Sequence, residues 1–219
     1  MSRSPQISLL AEFYQEYLDD QDSASFIKRV SHRYTIGTLQ RLSSHLERKT
    51  RRAAVMALGF LSDFESNAVL GAALHDEDRA VRTIAENSIR TSWRASGSES
   101  QRRMLAALLR LNSSQQYEKA VRAATELIEQ APSLAEAWNQ RAIAYYNLSR
   151  FIESIRDCHQ ALELNAYHFD AATGMGQCHL QLGNHRGALE SFRRAVRLNP
   201  SLEGVRAGIA YLERTLKKK

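Results

Sequence analysis

Apolar and small residues recur along the second half of the chain at a spacing of 34. Stacking residues 135–168 over 169–202 sets Leu148 over Leu182, Ala161 over Ala195, Leu162 over Val196, Leu164 over Leu198 and Asn165 over Asn199. Within each copy the apolar positions fall three and four residues apart, as they do on one face of an α-helix. A looser copy precedes them at 101–134, with Tyr117 over Phe151, Ala120 over Ser154, Ile128 over Leu162, and Pro132 two periods before Pro200. The pattern predicts helices over 101–113, 115–131, 135–148, 151–164, 169–182 and 185–198. A last one over 202–216, with Val205, Ile209 and Leu212 at helical spacing, would cap the array over residues 203–219.

The first half keeps another period. Setting Thr50–Gly59 over Val81–Arg90 matches Arg51 with Arg82, Ala54 with Ala85 and Leu58 with Ile89 at an offset of 31, and Leu39 matches Leu70. Residues 34–95 therefore read as two helical hairpins. Residues 1–33 fit neither repeat: Ile7, Leu10, Phe13, Tyr14 and Leu18 form one amphipathic stripe, a turn covers 19–25, and Phe26, Ile27 and Val30 follow. We expect this segment to be an N-terminal helical cap. Ser96, Gly97 and Ser98 form the best linker, short enough that the two arrays are expected to stack into one all-α superhelix.

Composition agrees with helix. Only 3 prolines and 10 glycines interrupt 219 residues, and 43% hydrophobic with 25% charged residues suits a chain that fills its interior. The longest apolar stretch, 53–61, is about half the ~18 residues a membrane-spanning helix needs. The N-terminal segment turns acidic where an export signal stays apolar, so a cytoplasmic protein is expected. Charge is unevenly placed. Residues 1–100 carry 13 Lys and Arg against 13 Asp and Glu, whereas 101–219 carry 17 against 11.

Candidate chemistry is sparse. Cys158, His159, Cys178 and His179 form two Cys-His dipeptides, but adjacent helical residues point about 100° apart, unlike paired zinc ligands on a turn. We expect buried, reduced thiols and no metal. There is no GxSxG, HExxH or phosphate-binding glycine loop, and no cofactor or active site is expected. Arg186, Arg193, Arg194, Arg197, Arg206, Arg214, Lys217, Lys218 and Lys219 make a basic region interrupted by Glu190, Glu203 and Glu213. It reads as a solvated face or as a surface for an anionic partner, either an acidic protein segment or nucleic acid. Aromatics for stacking bases are not interleaved there.

The stretch AEAWNQRAIAYYNLSRFIESIRDCHQALELN, with Trp138, Ala142, Tyr145 and Ala161, resembles the tetratricopeptide repeat. The next copy supplies Gly176, Ala188, Phe192, Ala195 and Pro200. Cys158 and Ala166 depart from the family's usual aromatic and proline. Small residues at Ala142 and Gly176 fit a close crossing of paired helices. In the first half, AVLGAALHDEDRAVRTIAENSI resembles HEAT repeats, with Asp76 and Arg82 at the family's loop aspartate and arginine. His45 replaces the aspartate in the earlier copy.

The tetratricopeptide resemblance implies a protein-interaction scaffold whose first helices line a concave groove for a peptide or helix. Carried over repeat by repeat, the lining would be Arg102, Leu105 and Leu109; Glu136, Asn139, Ile143 and Tyr146; and Asp170, Thr173 and Gln177. Members that clamp a C-terminal carboxylate use Lys, Arg and Asn there. Leu105, Leu109, Ile143 and Thr173 depart from that set.

Overall fold

A computed structural model describes residues 8–61 and 64–217. Among them the chain forms thirteen α-helices and one short 3-10 turn, with no strand. Among the described residues no helix is long and apolar enough to cross a membrane. Residues 1–92 and 93–219 form two compact units, each with its own core. The boundary lies between Ser92 and Trp93, shortly before the Ser96–Ser98 stretch.

In the first unit, α1 (Leu9–Asp20) starts where the Ser8 hydroxyl accepts the Ala11 N–H. It stops at Gln21, whose φ of 58° is left-handed. Helix α2 (Ser23–Arg33) starts under Asp22, which accepts the Ser25 N–H at 3.0 Å. Leu10, Phe13 and Tyr14 are buried as the stripe requires, while Leu18 faces solvent. Ile7 lies outside the described residues.

Helices α3 (Ile36–Leu42) and α4 (Arg48–Leu61) form one pair. The 3-10 turn Phe64–Ser66 leads into α5 (Asn67–Ala73), and α6 is Arg79–Ala95. The 31-residue offset is visible in the core: Leu39 and Leu70, Ala54 and Ala85, and Leu58 and Ile89 are all fully buried. The matched arginines act alike. Arg51 donates to the His45 and Leu46 carbonyls, and Arg82 to those of Asp76 and Glu77. Arg51 also forks onto Asp76 of the following copy at 2.8 and 3.0 Å. The link needs no acid at His45. Arg52 forks in the same way onto Asp78, which caps α6 through the Val81 N–H.

The second unit is a run of hairpins: α7 (Glu99–Ser113), α8 (Tyr117–Gln130), α9 (Ala135–Asn147), α10 (Phe151–Leu164), α11 (Phe169–Gln181), α12 (His185–Leu198) and α13 (Glu203–Lys217). Ser98 and Gln101 make a reciprocal capping box at the start of α7. Inside each hairpin the turn contains one left-handed residue at the 34-residue spacing: Gln115 at φ 59°, Ser149 at 60° and Gly183 at 70°. Asn165 and Asn199, the matched asparagines, are buried and accept the Tyr167 and Ser201 N–H groups with their side chains, closing each repeat. Ala142 and Gly176 sit where helices cross closely. Ser154 donates to the Ala142 carbonyl at 2.8 Å, and a Cβ on Gly176 would meet the Phe192 ring at 2.5 Å.

Candidate partner-binding face

Along the second unit each helix packs on the next, and the first helices α7, α9 and α11 also touch one another. The second helices α8, α10 and α12 make less of this side-by-side contact. Closer spacing on one side bends a stack toward that side, so α7, α9 and α11 line the inner face of the unit.

The expected lining residues do not share one environment. Leu105 is 1% exposed and packs with Leu108, Ala120, Ala124 and Leu127 in the core shared by α7, α8 and α9; Leu109 is half-buried beside them. Glu136 and Asn139 are each 4% exposed, so neither offers a free surface. Arg102 is exposed and donates to the Gly97 carbonyl. Thr173 is half-buried and bonds its own helix at Phe169, and Asp170 is half-buried. Ile143, 39% exposed, and the exposed Gln177 occupy equivalent places on neighbouring α9 and α11. Tyr146 is half-buried, lies edge-on to Phe151 and accepts from Gln181 at 3.4 Å. The open part of the inner face is therefore its C-terminal half: Ile143, Tyr146, Asn147, Gln177 and Gln181.

The N-terminal half is closed by a polar chain the residue pattern did not reveal. Trp93 stacks on His168 at 4.2 Å and lies 5.2 Å from Phe169. The His168 Nδ1 accepts the Ala171 N–H, which fixes the ring proton on Nε2, and this donates to Glu136 at 3.0 Å. The other Glu136 oxygen accepts from Gln140, whose amide and main-chain oxygens both accept from Asn112 at 2.9 Å. An imidazole on a carboxylate suggests proton transfer, but His168 is fully buried and both its nitrogens are engaged. Its one sequence signal is position: at the 34-residue spacing, His168 stands in a column otherwise held by Leu134 and Leu202.

A second missed feature is Arg141, which forks onto buried Asp157 at 2.7 and 3.0 Å and reaches the Thr125 hydroxyl at 3.0 Å. Its guanidinium lies 4.9 Å from the Trp138 ring centre. Burial pushes the Asp157 carboxyl up, and Arg141 opposes that shift. This pair ties α9 to α10.

Cys158 and Cys178 are buried free thiols. Cys178 donates to the Ser154 hydroxyl at 3.1 Å, and burial raises both thiols above the ordinary range, which disfavours thiolate. His159 is mostly exposed while its neighbour Cys158 is buried, so the two do not face one common point. Among the described residues no three His, Cys, Asp or Glu side chains are grouped to hold a metal ion.

Comparison with known proteins places these hairpins. Family models for the tetratricopeptide repeat match residues 135–168 and 169–202. The DnaJ homolog subfamily C member 7 of Mus musculus is 34% identical over 83 residues, 38% of this chain and 17% of that protein. A TPR repeat-containing protein of Rhizobium etli is 29% identical over 130 residues, 58% of this chain and 61% of the relative. The chain thus spans less than a fifth of the first relative and under two thirds of the second. Among solved structures, the first TPR of Spaghetti (RPAP3) bound to an HSP90 peptide superposes with a TM-score of 0.53 at 20% identity, covering 55% of this chain and 96% of that one. The Arabidopsis OM64 TPR domain gives 0.52 at 24% identity, covering 53% and 97%. These likenesses establish the shared helical-hairpin fold, and residues 135–202 of this chain are two tetratricopeptide repeats.

Proposed function

We propose that this protein is a non-catalytic, cytoplasmic interaction scaffold. It docks a peptide or helical segment of a partner protein on the open half of its inner face. The observation that carries this reading is Ile143, an aliphatic side chain 39% exposed beside Tyr146 and ringed by the amides Asn147, Gln177 and Gln181. An apolar anchor surrounded by groups that can bond a peptide backbone is what a docking surface needs. The solved relative with an HSP90 peptide supports a peptide as occupant. Leu105, Leu109, Ile143 and Thr173 stand where a carboxylate clamp has its cationic set, so the segment docks through apolar and backbone contacts and not through a C-terminal carboxylate. In this reading residues 34–95 are HEAT-like hairpins, residues 1–33 are their cap, residues 101–202 form three repeats with the first degenerate, and residues 203–219 are the closing helix and tail.

The test is affinity capture from source lysate with the intact chain, followed by mass spectrometry. Ile143→Glu with Gln177→Ala should reduce capture of specific partners about tenfold while circular dichroism is unchanged. Unaltered capture by that variant would show that the partner docks elsewhere.

A further inference from the structure

The charge of this chain is segregated more sharply than its two halves suggest. Residues 185–219 hold nine Lys and Arg against three Glu, a net of +6 that equals the formal net charge of the whole chain. Everything before them is balanced. Of that surplus, α12 and α13 carry seven Lys and Arg against three Glu, a net of +4.

Their side chains are turned outward. On α12, Arg186, Glu190, Arg193 and Arg197 are exposed, while Ala188, Leu189, Phe192 and Ala195 are buried. Spacings of four, three and four residues put those four on one face, spread over about 16 Å of helix. On α13, Leu212 faces the core, and Arg206, Tyr211, Arg214 and Lys217 are exposed. Arg193 is engaged by Glu213 at 2.6 Å, joining the two helices. Among the described residues, Arg186, Arg194, Arg197 and Arg206 have no carboxylate within ion-pairing distance, and Tyr211 is 59% exposed.

We propose that the outward face of α12 and α13 is a second docking surface, for an acidic polypeptide segment whose carboxylates pair with Arg186, Arg197 and Arg206. The use of arginine suits this, since its planar fork grips a carboxylate through two parallel bonds where lysine offers a point charge. An acidic peptide fits better than nucleic acid for two reasons. Glu190 sits between Arg186 and Arg193 on the stripe, and Glu203 stands at the foot of α13, exposed like the cations around it. A continuous phosphate chain would meet both, whereas a polypeptide can place a neutral or basic residue opposite each. Tyr211 is also a single exposed ring, and stacking successive bases takes a series of aromatics. The surface lies on a second helix and the closing helix, whereas Ile143 and Gln177 lie on the first helices α9 and α11, and it does not depend on the inner-face reading.

The experiment measures fluorescence anisotropy of a labelled oligoglutamate peptide and of an oligouridylate of equal length against the intact chain, at low and high salt. At low salt the oligoglutamate should bind more tightly than the oligouridylate, and salt should weaken it. The R186E/R197E/R206E variant should bind it at least about tenfold more weakly with unchanged helicity. Ile143→Glu should bind it as the unaltered chain does. The proposal is overturned if the oligoglutamate fails to bind, if the triple variant binds it equally, if Ile143→Glu abolishes binding, or if the oligouridylate binds more tightly.

Discussion

Ser149 holds a φ of 60°, a conformation that costs a residue with a Cβ about 1 kcal/mol. Gly183, one repeat later, occupies the same place without that cost. Ser149→Gly should therefore stabilise the second unit by about 0.5–1 kcal/mol, read as a raised melting temperature. Gly59 has the opposite sensitivity: a Cβ there would stand 2.9 Å from the Ser88 backbone, so Gly59→Ala should cost about 1–3 kcal/mol in chemical denaturation. Asp78 gives a pH signature. The Arg52 fork holds its carboxyl at about 2 despite some burial, below the unfolded value. The stabilisation is complete above about pH 4 and lost as the pH falls through 2, about 1–2 kcal/mol that Asp78→Asn should remove from the acid limb. Glycine at 183 could be read in advance as a turn residue. Gln115 and Ser149 could not, since neither side chain signals a left-handed backbone. His168 and Arg141 were equally silent, because a lone polar residue in an apolar column becomes meaningful only when its partners, Glu136 and Asp157, arrive from another helix.

Helices and their pairing were legible because burial imposes a period: the matched positions Ala161 and Ala195, or Leu58 and Ile89, lie in the core as their spacing required. Which face of a first helix stays open was not legible. Leu105, Glu136 and Asn139 occupy inward positions by repeat register, yet all three are buried, Leu105 among the α8 side chains and Glu136 on the His168 that Trp93 stacks against. Register fixes direction, whereas exposure depends on what else packs there. The closing helix shows the converse. Leu212 is fully buried against Ala188, Leu189 and Phe192, so α13 covers apolar surface that α12 would otherwise expose. Leu212→Ala should cost about 2–5 kcal/mol, lowering the denaturation midpoint of the second unit and increasing binding of an apolar dye.

At the scale of the whole molecule, two surfaces of the second unit differ in kind, an uncharged inner patch and a cationic outer one. Raising ionic strength should weaken capture at the outer face and leave the inner one nearly unchanged. The pattern of charge was countable from residues alone, but the exposure of Arg186, Arg197 and Arg206, and the pairing of Arg193 with Glu213, were not. The stacked ring described earlier also makes the chain easy to follow by light. Its only two indoles are Trp93, pressed on His168, and Trp138, whose Nε1 donates to the Pro132 carbonyl. Trp138 lies wholly within the repeats and reports their melting, whereas Trp93 stands near the end of α6, most of which belongs to residues 1–92, so a Trp93→Phe variant leaves an indole signal that follows the repeats without that helix.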